Sequence, residues 1–305
     1  MEASEHGGGH IPVLAREVLE VLQVQPGNTV VDLTVGLAGH SRLLAEQLGP
    51  TGILVGLDVD PKNLAVAREQ LKGVACNVHL LHANFAELDD VLRGLGIAKA
   101  DAMLADLGVA STHLDEVERG FSFQQDGPLD MRMDPRLTMT AADIVNRMKD
   151  RELGDLIYFN SQESAARRIA QRICEARRDA RITTTGRLAD IIASAVGVNP
   201  ESRKSKIHPA TLTFQALRMA VNEEIAKLTE LLRIAPAHLQ SGGRFAIIAF
   251  HSTEDKVIKL DFRARKTEGV YQILTKKPLI ADEEERRNNP RSRSAKLRAV
   301  VRTQV

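Results

Sequence analysis

The sequence contains little cysteine, almost no net charge and no long apolar run. Its two cysteines, Cys76 and Cys174, lie far apart and form no C-x-x-C pair, which argues against a disulfide framework or a zinc knuckle and favours two buried thiols. The 41 basic and 40 acidic residues nearly cancel, so nucleic-acid binding would depend on local clusters. The longest apolar run, Phe245 to Phe250, is far too short to span a bilayer.

The first ten residues also lack a basic stretch and an apolar stretch, so no secretory or transit signal is visible. We therefore expect a cytoplasmic protein with no membrane partner. The apolar fraction of 43% and the charged fraction of 27% are those of a soluble globular protein. Its 305 residues predict one large domain or a domain that carries an insert.

Strand-like and helix-like segments alternate in the first half of the chain, a pattern typical of parallel β-α-β units. Asp60 and Pro61 predict the start of one helix, because Asp60 can cap the free amides and Pro61 suits the first helical position. The alternation resumes with a predicted helix over residues 214–232. The predicted strands cover residues 30–35, 53–58, 78–83, 102–109, 244–250, 271–275 and 295–302.

Between these two parts, helical patterns with many arginines replace the alternation. The sequence therefore predicts an α/β protein in which a doubly wound domain over residues 1–112 and 211–305 is interrupted by a mainly helical insert over residues 113–210.

The turn after the first predicted strand suits a ligand that contains adenosine. Gly36 and Gly39 let the backbone approach a ligand closely, and Asp58, at the end of the next strand, can accept hydrogen bonds from ribose hydroxyls. The turn has no Lys or Arg, and Asp32 precedes it, so a pyrophosphate would meet an acid without compensating charge. S-adenosylmethionine, which carries an ammonium and a sulfonium, fits better. A tight turn without a ligand is the ordinary alternative.

Two more candidate residues follow predicted strands. Phe85 is placed to pack on an adenine ring, with a core phenylalanine as the alternative. Asp106 ends the fourth predicted strand, where the carboxyl ends of doubly wound strands meet a ligand crevice. Its alternative role is to cap the following turn. No pattern of metal ligands is evident, so we predict no metal site.

Two basic clusters interrupt the balanced charge. The first contains Arg203, Lys204 and Lys206, and the second follows the acidic run at residues 282–285. A solvated surface is the ordinary explanation for such clusters, and contact with nucleic-acid phosphates is the alternative. The members of the second cluster are Arg286, Arg287, Arg291, Arg293, Lys296 and Arg298.

Several longer strings of residues resemble the ribosomal RNA small subunit methyltransferase H family, also called MraW, over nearly the whole chain. Because these unusual strings occur in the family's order, the signal is highly specific. The strings are His10 with residues 12–14, and residues 32–41, 106–109, 118–123, 126–134, 208–211, 213–216, 250–252 and 289–294.

The resemblance implies a Rossmann-like class I methyltransferase sheet with an inserted, mainly helical substrate domain. It implies transfer of a methyl group from S-adenosylmethionine to the N4 amine of cytosine 1402 in 16S rRNA of the small ribosomal subunit, and it is compatible with a homodimer. It also implies roles in cofactor binding. Ala38, Gly39 and His40 would hold the methionine part, Asp58 the ribose, and Phe85, Asp106 and His113 would surround the adenosine.

The exocyclic amine of cytosine is a poor nucleophile because its lone pair is shared with the ring. The enzyme must therefore align amine, methyl group and sulfur and accept hydrogen bonds as the new bond forms. The base must also be unstacked to reach the site. We predict that Asp106 orients the amine, helped by the loop at Ser111, and that residues 286–298 contact rRNA phosphates.

The chain departs from the family in three places. Ala38 stands where the family has glycine, His113 where it has glutamine, and residues 160–163 read Asn-Ser-Gln-Glu where it has Tyr-Gly-Glu-Glu. The first two departures leave open a protein that keeps the scaffold as a non-catalytic RNA-binding or ribosome-assembly factor. An enzyme of the same fold that methylates a small molecule or a protein is a second alternative, against which the extensive match and the basic tail argue.

Overall fold

The computed structural model describes residues 11–197 and 208–303. His10 and the first basic cluster, Arg203 to Lys206, therefore lie outside the described residues. The helices are α1 (Ala15–Leu22), α2 (Gly39–Leu48), α3 (Pro61–Gln70), α4 (Leu88–Gly94), α5 (Ser111–Asp115), α6 (Ala141–Arg147), α7 (Asp150–Ser161), α8 (Ala166–Asp179), α9 (Thr185–Val196), α10 (Thr211–Val221), α11 (Glu224–His238), α12 (Ser252–Thr267) and α13 (Glu283–Asn288). The strands are β1 (Thr29–Asp32), β2 (Ile53–Asp58), β3 (Asn77–His82), β4 (Ala100–Asp106), β5 (Leu239–Ala249), β6 (Tyr271–Ile273) and β7 (Lys296–Arg302).

The strands form one sheet in the order β3-β2-β1-β4-β5-β7-β6. Strands β1 to β5 pair in parallel, whereas β7 runs antiparallel to both of its neighbours. The strand order reverses between β1 and β4, and ligands of open α/β sheets bind at the carboxyl ends of the strands beside such a reversal. Asp32 ends β1 and Asp106 ends β4, so both acids lie at this point.

Alternate residues of the central strands point to opposite faces of the sheet, and each face has its own apolar core. Val31, Val55 and Met103 lie in the core that is covered by α4, α11 and α12. Their neighbours Val30, Leu54 and Ala102 lie in the core that is covered by α1, α2 and α3. Helices on both faces of a mostly parallel sheet make this a doubly wound α/β fold, as the sequence predicts.

The chain divides into two compact units. The first takes its described residues from Met1–Gly108 and Ala226–Val305, and the second takes them from Val109–Ile225. The second unit is mainly helical, and the only β-pairing between its described residues is an isolated bridge between Pro128 and Thr184. It begins four residues before the predicted insert and continues fifteen residues beyond it.

The helix predicted over residues 214–232 is two helices, α10 and α11. The break occurs because the side chain of Asn222 turns away to bind another segment: its Nδ2 donates to the carbonyl of Met131 (2.8 Å) and its Oδ1 accepts from the N–H of Met133 (2.8 Å). Glu223, next in the chain, has a left-handed backbone with φ 53°. These bonds attach the end of α10 to the second unit, which therefore extends further than the sequence suggests.

Two strings that carry the family resemblance shape loops of the second unit. Gly120 has φ +70°, and a Cβ there would lie 2.1 Å from the carbonyl oxygen of Pro128, so only glycine fits. Asp130 pairs with Arg132 (2.7 Å), and Asp134 pairs with Arg136 (2.8 Å). These acids order the loop that contains them.

In the first unit, hydrogen bonds join residues 11–14, near the N-terminus, to residues 285–289, near the C-terminus. The N–H of Leu14 donates to Oε1 of Glu285 (2.7 Å), and Nδ2 of Asn289 donates to the carbonyl of Ile11 (3.0 Å). Asn289 is buried, and its own carbonyl accepts from the hydroxyl of Ser292 (2.8 Å). The string at residues 289–294 thus folds into a turn that holds residues 11–14.

Among the described residues, no helix is both long and apolar enough to cross a membrane. Cys76 and Cys174 are buried and free, as predicted, and burial raises the pKa of both thiols.

Candidate cofactor site at the carboxyl edge of the sheet

The turn between β1 and α2 is built from residues with left-handed backbones. Gly36 has φ 52° and Ala38 has φ 66°. Helix α2 then begins at Gly39, and Ala38, the residue before it, makes no side-chain cap. A Cβ on Gly39 would lie 3.3 Å from Cβ of Pro12, so the proline packs directly on the start of this helix. The turn is therefore tightly packed on the side of Pro12, and Ala38, whose side chain is a methyl group, offers the first amides of α2 no acceptor.

Asp32, at the end of β1, forms hydrogen bonds with both ends of this turn. Its Oδ1 accepts from the N–H of Thr34 (3.1 Å), and its Oδ2 accepts from the hydroxyl of Ser41 (2.5 Å). Burial raises the pKa of Asp32 to about 6 against the opposing effect of these two bonds, and the carboxylate of Asp58 raises it further. A buried acid bonded to both ends of the turn fixes its shape.

Asp58, at the end of β2, is bonded to the same turn. Its Oδ2 accepts from the N–H of Gly36 (2.7 Å), and its Oδ1 accepts from the N–H of Asp60 (2.8 Å) and from Nδ2 of Asn63 (3.3 Å). The predicted ribose acceptor is thus also a structural part of the turn.

Asp106 differs from these two acids. Its side chain is 20% exposed, and Oδ2 lies 3.7 Å from Nε2 of His40. Its Oδ1 is buried and has no hydrogen-bond partner among the described residues. Burial raises the pKa of Asp106 to about 8, and the nearby carboxylates of Asp32 and Glu254 add to this rise. Since buried polar atoms are almost always bonded, an unbonded carboxylate oxygen at a sheet edge is a candidate ligand-binding group.

Phe85 lies just beyond β3 in a short turn of helix, Phe85–Glu87, that Asn84 caps. Its ring is partly buried against the core of the α4 face. This environment fits both explanations given above, a core residue and one that presents part of its ring to an adenine.

A model of the MraW methylase family matches residues 8–303. The chain belongs to the MraW methylase family. The "Ribosomal RNA small subunit methyltransferase H" of Acidobacterium capsulatum is 45% identical over 297 residues, which cover 95% of this chain and 97% of that protein. The protein of the same name from Syntrophotalea carbinolica is 46% identical over 311 residues, which cover 96% and 98%. A solved structure, "SMU.1697c, a putative methyltransferase from streptococcus mutans in complex with SAH", covers 96% of this chain and 99% of its own at 12% identity and a TM-score of 0.46.

The resemblance and fold class expected from the sequence are thereby confirmed: this MraW methylase is a methyltransferase with a Rossmann-like sheet, and its cofactor is S-adenosylmethionine. The site fits that molecule. The start of α2, where Ala38 provides no side-chain cap, suits its carboxylate, and the acidic strand ends at Asp32 and Asp106 suit its positive groups. When bound, the cofactor supplies a methyl group already activated by the sulfonium.

The structure brings seven of the nine predicted cofactor-binding residues together around neighbouring strand ends of the first unit, and Phe85 follows the end of β3. The seven are Asp32, Gly36, Ala38, Gly39, His40, Asp58 and Asp106. His113 and Ser111, the second predicted catalytic residue, belong to the second unit. There Ser111 begins α5, and the ring of His113 stacks on Phe121 with 5.2 Å between centroids. Their parts in the site stay predictions.

The sequence did not predict the roles of several residues that shape the site. Thr34 Oγ1 accepts from the N–H of Asp106 (2.6 Å) and so joins the turn after β1 to the end of β4. Ser41 bonds Asp32 as described, and the carboxylate of Glu254, on α12, adds to the rise in the pKa of Asp106. Thr34 and Ser41 lie in the string that carries the resemblance, which was the available signal. Glu254 gave a weaker one, an acid in the first turn of a helix that follows a strand.

Proposed function

We propose that this methyltransferase transfers a methyl group from S-adenosylmethionine to the N4 amine of a cytosine in 16S rRNA, at position 1402 by family resemblance. Its relatives at 45% identity are named ribosomal RNA small subunit methyltransferases, which supports rRNA as the substrate. The observation that carries the chemistry is the unbonded oxygen of Asp106 at the strand-order reversal. An acceptor held there can bind one N–H of an incoming amine and orient its lone pair.

In this proposal the residues of the first unit have distinct tasks. Asp32, Thr34 and Asp58 keep the turn after β1 in shape, and the amides of α2 bind the carboxylate of the methionine part. Asp106 accepts a hydrogen bond from the amine of the target base, and the catalytic part of Ser111 stays a prediction. The mainly helical insert would recognise the substrate, and self-association as a homodimer stays a prediction.

The second basic cluster supports contact with RNA in part. Arg287 and Arg293 are exposed, and Arg291 and Lys296 are partly exposed. Arg298 does not belong with them, because it is buried and its Nε lies 2.6 Å from Oδ1 of Asp255. The sequence placed Arg298 among the residues predicted to contact phosphates. In the structure Arg298 lies in β7 and forms an ion pair with Asp255 inside the protein.

A methylation assay tests the function. The purified protein is incubated with labelled S-adenosylmethionine and small subunits that lack the modification, and the 16S rRNA is digested and its nucleosides identified by mass spectrometry. The expected product is N4-methylcytidine, and Asp106→Ala should form it far more slowly. Methyl transfer to a different atom would contradict the proposal, and cofactor binding without any transfer would favour the non-catalytic assembly factor.

The role of the basic cluster is tested separately. We expect replacement of Arg291 and Arg293 by Gln to lower the slope of log affinity against log salt by about 2, since each phosphate contact releases roughly one counterion. Replacement of Arg263, an exposed residue of α12, by Gln is a control for the loss of a surface charge. An unchanged slope would show that the string at residues 289–294 serves packing alone.

A further inference from the structure

Residues 11–14 form a short segment ahead of α1 that is hydrogen-bonded at both ends. The carbonyl of Ile11 accepts from Nδ2 of Asn289 (3.0 Å), and the N–H of Leu14 donates to Oε1 of Glu285 (2.7 Å). Both partners belong to one stretch far along the chain, since Glu285 lies in α13 and its carbonyl accepts from the N–H of Asn289 (2.6 Å). The path of the segment between these two bonds is therefore fixed.

Asn289 is itself held in place by the turn that follows α13. Its side chain is buried, and its carbonyl accepts from the hydroxyl (2.8 Å) and from the N–H (3.0 Å) of Ser292, which is also buried. The backbone of Asn289 is thus bonded on both sides, to Glu285 and to Ser292. A buried amide fixed in this way can hold the segment to which its side chain donates.

The fixed segment packs on the start of α2. Pro12 follows Ile11, and a Cβ on Gly39 would lie 3.3 Å from Cβ of Pro12 and 3.4 Å from its Cδ. The proline ring therefore lies against the first residue of the helix. Val13, next in the chain, is buried in the same apolar core as Leu44 of α2. The segment cannot leave α2 without opening this core.

This packing affects a helix start that has little support of its own. The first amides of a helix bind an anion well only when they point at it together, so the orientation of the first turn matters. In α2 the preceding residue, Ala38, has a left-handed backbone and makes no side-chain cap. The ring of Pro12 supports this first turn from outside.

We propose that Asn289 is a positioning residue for the cofactor: acting through Ile11 and Pro12, it holds the start of α2 where the helix amides bind the carboxylate of S-adenosylmethionine. The inference rests on the proposed placement of that carboxylate at α2. It gives the string at residues 289–294 a task in cofactor binding, in addition to the contact with RNA phosphates proposed for Arg291 and Arg293.

Two ligands that differ only in the carboxylate separate this role from a general effect on structure. Decarboxylated S-adenosylmethionine keeps the nucleoside, the sulfonium and the amine of the intact cofactor. In calorimetry without RNA, we expect Asn289→Ala to weaken binding of S-adenosylmethionine by about three- to tenfold and that of the decarboxylated ligand by less than about twofold, as the loss of one hydrogen bond would give. Asn288→Ala, at an exposed site one residue earlier, is the matched control and should bind both ligands like wild type.

Pro12→Ala tests the path by which Asn289 acts, because it removes the ring and leaves both hydrogen bonds of the segment possible. We expect the same selective loss of affinity for the intact cofactor. Adding Asn289→Ala to Pro12→Ala should weaken binding by less than about a further twofold, since residues that act through one another are not additive. If Asn289→Ala does not fold, the selectivity of Pro12→Ala still decides.

Three results would overturn the inference. An equal loss of affinity for both ligands would make Asn289 a structural residue only. Wild-type affinity of both single variants for S-adenosylmethionine would separate residues 11–14 from the site. Full additivity of the two changes would show that Asn289 does not act through Pro12. Failure of the proposed function is seen elsewhere, as methyl transfer to a different atom in the methylation assay, and leaves these binding constants unaffected.

Discussion

The turn region after β1 and β2 and the edge formed by the ends of β4 and β5 both contain buried acids, but they use them differently. In the first region, Asp32 and Asp58 accept hydrogen bonds from backbone and side-chain donors of their own turns. In the second, Asp106 leaves one carboxyl oxygen without a hydrogen-bond partner among the described residues, and Glu254 bonds the turn between β5 and α12. The satisfied acids give the site its shape, and the unsatisfied one is available for a ligand.

The largest expected effect tests whether Asp106 takes part in the chemistry. Asp106→Ala should lower the single-turnover methylation rate of 30S subunits by about 100- to 1000-fold at saturating cofactor, the usual cost of deleting one preorganised partner. Asp106→Asn keeps an acceptor oxygen and should retain part of the rate if hydrogen bonding dominates. Wild-type rates in both variants, with only the cofactor affinity changed, would make Asp106 a binding residue and the catalytic assignment wrong.

The next effect concerns Asp58, one of the two hydrogen-bonded acids of the turn region. Asp58→Ala removes the acceptors of Gly36 and Asp60, so we expect it to lower the free energy of unfolding by roughly 1.5–3 kcal/mol as well as weaken cofactor binding. The role as a ribose acceptor that the sequence predicts would account only for weaker cofactor binding. Urea denaturation and calorimetry measure the two effects, with Asp58→Asn as the control that keeps one acceptor. Equal stability of Asp58→Ala and wild type would show that the turn does not need this acid.

A smaller effect concerns the pH dependence of stability that the raised pKa of Asp106 causes. The pKa of Asp106 rises from 3.8 to about 8 on folding, so the folded state keeps a proton that the unfolded state has lost. Stability therefore declines as pH rises from about 4 to 8. Asp106→Asn removes this cost, and we expect it to stabilise the free protein by roughly 1–2 kcal/mol at pH 8 and by much less at pH 4. A gain that is the same at both pH values in thermal unfolding would refute the electrostatic explanation.

The smallest expected effect is at Ala38, whose left-handed backbone costs a non-glycine residue about 1 kcal/mol. Ala38→Gly should raise the free energy of unfolding by roughly 0.5 kcal/mol, the strain relieved less the added entropy of the unfolded chain. Ala45→Gly, also buried but inside α2, is the matched control and should destabilise the protein. If both variants lose stability alike, Ala38 is not strained.

The sequence predicted those parts of the fold that local patterns determine. Strand β2 was predicted to the residue, since an apolar run lies between Gly52 and the helix start at Asp60 and Pro61, and Asp60 caps that helix as expected. The prediction of one continuous helix over residues 214–232 was wrong, because Asn222 forms hydrogen bonds with Met131 and Met133, about 90 positions away in the sequence. No local pattern reveals such a partner.

The site shows the same limit. The rule about strand ends was sufficient to select Asp58 and Asp106, because it depends only on the strand pattern. It could not show that Asp58 is engaged by the turn while Asp106 is not, since this difference depends on which strands become neighbours. Glu254 and the burial of Arg298 were missed for the same reason, as both follow from the pairing of β5 with its two neighbours.

The hydrogen bonds of Glu285 and Asn289 with residues 11–14 affect the order in which the molecule folds. Pro12 supports the start of α2, yet its segment is held by partners more than 270 positions later in the chain. Contacts of such sequence separation form late and slow the folding of a domain. While the chain is being synthesised, the cofactor turn can form its internal bonds early, but its support from Pro12 must wait until residue 289 has left the ribosome. The nascent enzyme is therefore expected to acquire full cofactor affinity only in the last step of its folding.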